Sequence, residues 1–211
     1  MVATSSSRVH ASGRPRIRRS PPAAIQSWLE SAAWTESAYF ALPDTNHYVE
    51  LSDESLVIPE MPTVQHQRVV KAFAAQLDVW IAAHEQGEVI VGPYPVRLWA
   101  GKIREPDVLF YRAEHLDRIH DQFGDPPDLV LEVLSPGTRT TDLKEKLAEY
   151  EQAGVGEYWI ADPGAPSVEV RALVDGKYLH QGPFVPGQRA TSTLLPGYVV
   201  DVDTLFRPAR R

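Results

Sequence analysis

A mixed α/β fold is predicted for this 211-residue chain. Three observations predict it. Apolar residues recur at helical spacing in two segments, from Pro62-Thr63 to about Glu85 and from Thr141 or Asp142 to about Ala153. Short runs rich in Val, Ile, Leu and aromatics, closed by Gly and Pro, lie between and after them. The resulting order of helix, strands, helix, strand is that of a mixed sheet flanked by helices. With 43% apolar residues, 18 Pro and 13 Gly, the chain can bury a core and make many turns.

Taken in order, residues 1–22 are Arg/Ser/Pro-rich and are expected to be a disordered leader, with one domain over 23–211. Ile25 to Ala33 reads as a short helix or a loose segment. Thr35-Glu36-Ser37 starts a helix that Pro43-Asp44 ends. Tyr48 to Ile58 reads as two strands around a turn at Ser52-Asp53-Glu54. Thr63 is placed to cap the long helix, whose stripe is Val70, Phe73, Leu77, Trp80 and Ile81, with Gly87 closing it. His66 lies four residues before Val70 and shares its inward side.

Strands follow at Glu88–Val91 and Pro95–Trp99, parted by Gly92-Pro93, and then at Pro106–Tyr111. His115 to His120 links to Asp128–Leu134, which is apolar on both faces like a central strand. Ser135-Pro136-Gly137 breaks it. The second helix carries Leu143, Leu147 and Tyr150 at i, i+4, i+7 and stops at Gly154. Glu157–Asp162 is another strand, Val168–Leu173 and Lys177–His180 form a hairpin around Asp175-Gly176, and the tail to Phe206 adds one or two short strands.

Charge and composition narrow the function. The chain has 21 basic and 28 acidic residues. Five Arg and no acid fall in residues 1–29, so the remainder holds 16 basic against 28 acidic residues, a formal −12. So acidic a body is a poor non-specific DNA binder. A DNA substrate would need a local basic patch, the Arg-rich leader, metal ions or a partner. The absence of cysteine rules out disulfides and thiolate metal sites and suits a reducing cytoplasm. No apolar run is long enough to span a bilayer. There is no Gly-rich phosphate loop, no His-Glu-x-x-His helix and no Gly-x-Ser-x-Gly elbow.

Three residues are the candidates for the chemistry, although Asp107 can also be a turn cap and either helix lysine a solvated partner of a nearby acid. Asp107 stands after Pro106 at the mouth of its strand, Glu132 sits within Asp128–Leu134 on the face of Val130 and Leu134, and Lys146 follows on the helix. A carboxylate among Val and Leu is costly unless a cation or hydrogen bonds compensate it. If the two strands pair, both carboxylates can address one hard ion, and Mg²⁺ takes one or two carboxylates plus waters. A divalent ion activates water and offsets charge on phosphorus, while a lysine orients or stabilises the attacking hydroxide. Lys144 and Lys146 both flank the helical stripe, and the helical wheel only slightly favours Lys146. Glu50, in Tyr48-Val49-Glu50-Leu51, is either an edge-strand charge or a further metal carboxylate. His66 is either a satisfied inward histidine or a supporting ligand.

These residues also match a family pattern. The stretch from about Tyr39 to Phe206 resembles the Uma-two family of restriction-endonuclease-like proteins, within the PD-(D/E)XK nuclease superfamily. The matching pieces are Tyr48-Val49-Glu50-Leu51, His66-Gln67, Arg104-Glu105-Pro106-Asp107-Val108, Pro127 through Glu132 to Pro136, Asp142 through Lys146 to Tyr150, and Gly154 to Pro163. The resemblance implies a four- or five-stranded mixed sheet flanked by helices and metal carboxylates at Asp107 and Glu132. The superfamily lysine normally lies two residues after the second acid, where this chain has Leu134. The resemblance implies that it has moved to the helix, at Lys146 rather than Lys144. The usual Glu-Leu-x-Asp-Gly-Glu turn is here Glu50-Leu51-Ser52-Asp53-Glu54-Ser55, so an altered turn is expected beside Glu50.

The expected function is a Mg²⁺- or Mn²⁺-dependent endonuclease that hydrolyses DNA phosphodiesters, with a homodimer as one way to cut two strands. The alternatives are a catalytically silent nuclease-like scaffold with a binding or regulatory role, favoured by the acidic body, and a hydrolase for a small phosphoester.

Overall fold

The computed structural model describes residues 33–42 and 48–207, all within one compact unit. The expected leader, the segment 25–32 and Pro43-Asp44 lie outside the described residues.

Thr35 caps the first helix, α1 (Glu36–Phe40), accepting from Ala38 N at 3.2 Å. Strands β1 (Glu50–Ser52) and β2 (Ser55–Val57) then form a tight hairpin. Its turn residues Asp53 and Glu54 take φ of 50° and 62°. The turn is therefore left-handed at two non-glycine residues, at a cost of about 1–2 kcal/mol per residue.

Thr63 caps α2 (Val64–His84), its hydroxyl accepting from His66 N at 3.2 Å. The expected stripe is buried, except that Trp80 is half-buried, and His66, Val69 and Ala74 extend it. Glu85, not Gly87, closes this helix, with φ 51° and its N–H returning to Ile81 O. Gly87 instead opens β3 (Gly87–Val91), where a Cβ would fall 1.9 Å from Tyr111 O. Only glycine lets these backbones approach so closely.

After β4 (Val96–Trp99) the chain makes β5 (Lys102–Arg104), a strand that lies between two expected ones and was not itself expected. Strand β6 (Val108–Arg112), a 3₁₀ turn (Ala113–Arg118), β7 (Leu129–Val133), a π-helical turn (Thr141–Lys146) and α3 (Leu147–Ala153) follow. Neither Thr141 nor Asp142 caps this second helix. It begins earlier, with Arg139 N bonded to Ser135 O and Thr138 N to Ser135 Oγ. The tail comprises β8 (Glu157–Asp162), β9 (Ser167–Val174), β10 (Lys177–Phe184), β11 (Arg189–Thr191), β12 (Val199–Asp201) and α4 (Val202–Phe206).

The main sheet has six strands in the order β10-β9-β8-β7-β6-β3, because the C-terminal hairpin joins its edge. It is mixed: β7 and β8 run parallel across the α3 crossover and the other pairs are antiparallel. A second sheet, β2-β1-β5-β4, and the pair β11-β12 complete the strands, more than the four or five implied by resemblance. Alternation along the strands divides the core. Val108, Phe110, Leu129 and Leu131 pack with Phe73 and Leu77 of α2. Leu109, Tyr111, Val130 and Ile160 pack on the other face with Tyr150 of α3 and Val96 and Leu98 of β4. Glu132 belongs by alternation to this second face. No helix among the described residues is long and apolar enough to cross a membrane.

Candidate active site

Strands β6 and β7 are antiparallel neighbours with Val108 opposite Leu131. One further step in this register sets Asp107 opposite Glu132. The second sheet pairs Leu51 with Ile103, and the same step sets Glu50 opposite Arg104. The π-helical turn brings Asp142 and Lys146 in from the helix side. Such turns widen a helix locally and recur at functional sites.

Glu50, His66, Asp107, Glu132, Asp142 and Lys146 thus meet at one cleft. Each is at most 8% exposed. The Lys146 ammonium lies 2.8 Å from Glu132 Oε1, 3.0 Å from Glu50 Oε1 and 3.6 Å from Asp142 Oδ1. Tyr150 donates its hydroxyl to the same Glu132 Oε1 at 2.8 Å. Asp107 Oδ2 accepts from Val133 N at 2.8 Å and lies 3.1 Å from His66 Nε2. His66 therefore supports a carboxylate. Glu50 Oε2 accepts from Arg104 at 2.8 Å, and Arg104 also forks onto Glu149 with two bonds of 2.7 Å. Lys144 is exposed and does not line the cleft.

The electrostatics are unbalanced. Six carboxylic side chains line the cleft, with Lys146 the only lysine or arginine among its described lining residues. Burial pushes the Glu132 carboxyl well above the ordinary range; Lys146 opposes this, and Asp142, Asp107 and Glu50 add to it. Burial works against the Lys146 charge, but Glu132, Glu50 and Asp142 outweigh it and hold the pKa well above that of a free lysine. Burial also disfavours the Glu50 charge, yet Lys146 and Arg104 keep that carboxyl below its usual range. Burial raises Asp142 despite Lys146 and a Thr138 hydrogen bond.

Glu105 gives a pH prediction. Burial, reinforced by Glu50, lifts its carboxyl from 4.5 to about 7. The folded protein holds a proton there that the unfolded chain releases near 4.5. The stability this contributes is complete below that value and is lost as pH rises through 7. Glu105→Gln removes the cost of ionising a buried acid, so the variant is expected to exceed the wild type by about 1–3 kcal/mol at pH 8 and to converge with it toward pH 4.5. Urea unfolding at both pH values in EDTA checks this; a gap independent of pH would contradict it.

A divalent cation suits the donors. Both bonds to Glu132 fall on Oε1 and both contacts to Asp107 on Oδ2, which leaves one oxygen of each free of those contacts. Asp142 Oδ1 is buried without a hydrogen-bond partner and has the Lys146 ammonium 3.6 Å away. Among the described residues no group of three or more His, Asp or Glu is placed to hold a metal ion, so an ion here would rest on one or two carboxylates and complete its shell with water.

Reading the sequence left Arg104, Glu105, Asp142 and Tyr150 out of the site. Arg104 and Glu105 stand within the matched motif beside Asp107. Asp142 is four residues before Lys146, a spacing that signals side chains on one helix face.

A family model described as "Uma2: Putative restriction endonuclease" matches residues 37–203. Among solved structures, the chain is similar to a "putative nuclease belonging to DUF820" from Anabaena variabilis, at 15% identity and TM-score 0.69, covering 82% of this chain and 97% of that one. It is also similar to the type IIG restriction endonuclease BpuSI, at 12% identity and TM-score 0.40, covering 71% of this chain and 17% of that one. No curated protein matches the chain. The first of these structures shares the fold, and the family match spans most of the sequence: the chain belongs to the Uma2 family.

Proposed function

We propose that the protein is a metal-dependent endonuclease acting on DNA. The observation that carries this reading is the convergence of Asp107, Glu132 and Lys146 on one cleft from two paired strands and a helix. The family's description as a restriction endonuclease supports the same reaction class. Asp107 and Glu132 would hold Mg²⁺ or Mn²⁺, and Glu50 supports them through its contact with Lys146. When bound, the ion supplies Lewis-acid stabilisation of the charge that develops on the phosphate. Lys146 orients the attacking hydroxide or stabilises its charge from the helix side. His66 and Val133 N fix the rotamer of Asp107, and Tyr150 fixes Glu132.

The cleft holds about 50 Å³ and opens to solvent, so a phosphodiester would meet the site at its mouth. The scaffold reading draws on the Lys146 bridge between Glu50 and Glu132, which pairs those two carboxylates with no other ligand.

Supercoiled plasmid and single-stranded DNA incubated with Mg²⁺, Mn²⁺ or EDTA separate these readings. Cutting with either metal and none in EDTA is expected. In parallel, Mn²⁺ at a hundred times its Kd is expected to stabilise the wild type by about 2.7 kcal/mol and to leave Asp107→Ala unmoved. A melting temperature indifferent to metal, with no cutting, would favour the scaffold.

A further inference from the structure

We infer that Asp142 receives the Lys146 ammonium when a divalent cation takes Glu132, so that the lysine is a built-in counter-ion exchanged for the metal and kept beside it. The inference rests on the metal-dependent reading above and concerns how that site loads.

Lys146 occupies Glu132 Oε1 at 2.8 Å, on the carboxylate that the cation would need. Two positive charges on one buried carboxylate repel strongly where the effective dielectric is low. The ammonium must therefore lean on another acceptor. Glu50 already takes Arg104 on Oε2 and Glu105 N on Oε1. Asp142 does not share that crowding. Its Oδ1 is buried, lacks a hydrogen-bond partner and lies 3.6 Å from Lys146 Nζ, just outside hydrogen-bond reach. A movement of roughly 1 Å would bring the pair to the spacing of a charge-assisted bond.

The surroundings prepare that movement and no larger one. Asp142 and Lys146 are i, i+4 partners within the π-helical turn. Asp142 N bonds Thr138 O at 2.9 Å, and Tyr158 donates to Asp142 O at 3.1 Å. The backbone under the acceptor is thus fixed, and the long lysine stem supplies the freedom. Asp142 acts through Lys146 and is a positioning residue: it lowers the cost of metal entry and retains the ammonium beside the cation.

Mn²⁺ is the probe. In crystals of the wild-type protein grown with Mn²⁺, the ion is expected on Asp107 and Glu132 with Lys146 Nζ within hydrogen-bond distance of Asp142 Oδ1. By calorimetry, Asp142→Asn is expected to weaken Mn²⁺ roughly tenfold and Lys146→Met to strengthen it by a similar factor. In the Lys146→Met background the Asp142→Asn effect is expected to shrink to roughly threefold or less, because the exchange no longer takes place. Mn²⁺ bound with Lys146 still on Glu132 Oε1 would overturn the exchange and leave the metal site standing. Mn²⁺ ligated by Asp142 itself, with an undiminished effect in the double variant, would overturn it too. No Mn²⁺ binding to the wild type would remove the metal-dependent reading together with this one.

Discussion

Lys146→Ala is expected to lower metal-dependent DNA cleavage by about 10²–10⁴-fold, the range in which lost proton-transfer or charge-stabilising groups fall. Lys144→Ala is the control and is expected to cut like the wild type, because Lys144 is exposed and is not among the residues lining the cleft. The buried ammonium contacts Glu132 and Glu50 and faces Asp142. Its removal therefore exposes these acids to one another, so cleavage should be measured alongside thermal stability in EDTA and in Mn²⁺. A folded Lys146→Ala that cuts at the wild-type rate would remove the lysine from the chemistry. Equal losses in both lysine variants would point to a general electrostatic effect on DNA approach.

The second large effect concerns stability. Arg104 is 1% exposed and joins the two carboxylates flanking the site, Glu50 and Glu149. Burial opposes its charge, and the hydrogen bonds and attraction of Glu149 and Glu50 hold the guanidinium firmly protonated. Arg104→Met keeps much of the volume but removes the fork. Of their cationic partners, Glu50 then retains Lys146 and Glu149 retains Lys102 at 3.1 Å. Breaking a buried ion pair from one side costs about 3–5 kcal/mol, which for a domain of this size lowers Tm by on the order of 10 °C. The exposed pair Lys177–Glu151 sets the contrast: Lys177→Ala is expected to change stability by about 1 kcal/mol or less. A Tm for Arg104→Met as close to wild type as that of Lys177→Ala would show that the buried network contributes nothing.

Much of the fold was legible in the chain itself. Thr63 before a helical stripe is a local capping signal, and the observed bond to His66 N honours it. Val130 and Leu131 pack toward opposite faces, as a strand apolar on both sides requires. Glu132 within that strand announced itself because a carboxylate there has no local means of hydration. These are properties of neighbouring residues, governed by the periods of helix and strand, so a linear reading reaches them.

Partnerships between distant segments were not legible. Nothing near Glu50 in sequence says that Arg104 lies opposite it; the register of β1 on β5 decides that. Asp142 looks like a helix cap until the helix starts at Arg139, with Ser135 accepting its first bonds, and a π-helical turn brings both Asp142 and Lys146 inward. The sequence alone thus determined the elements, the burial of Glu132 and the pool of candidate lysines. Tertiary structure decided which lysine reaches the acid, which arginine balances the second carboxylate and which buried oxygen is left without a donor. Charge–charge interactions depend on separation in space, and strand register and helix phase set that separation only when the chain is folded.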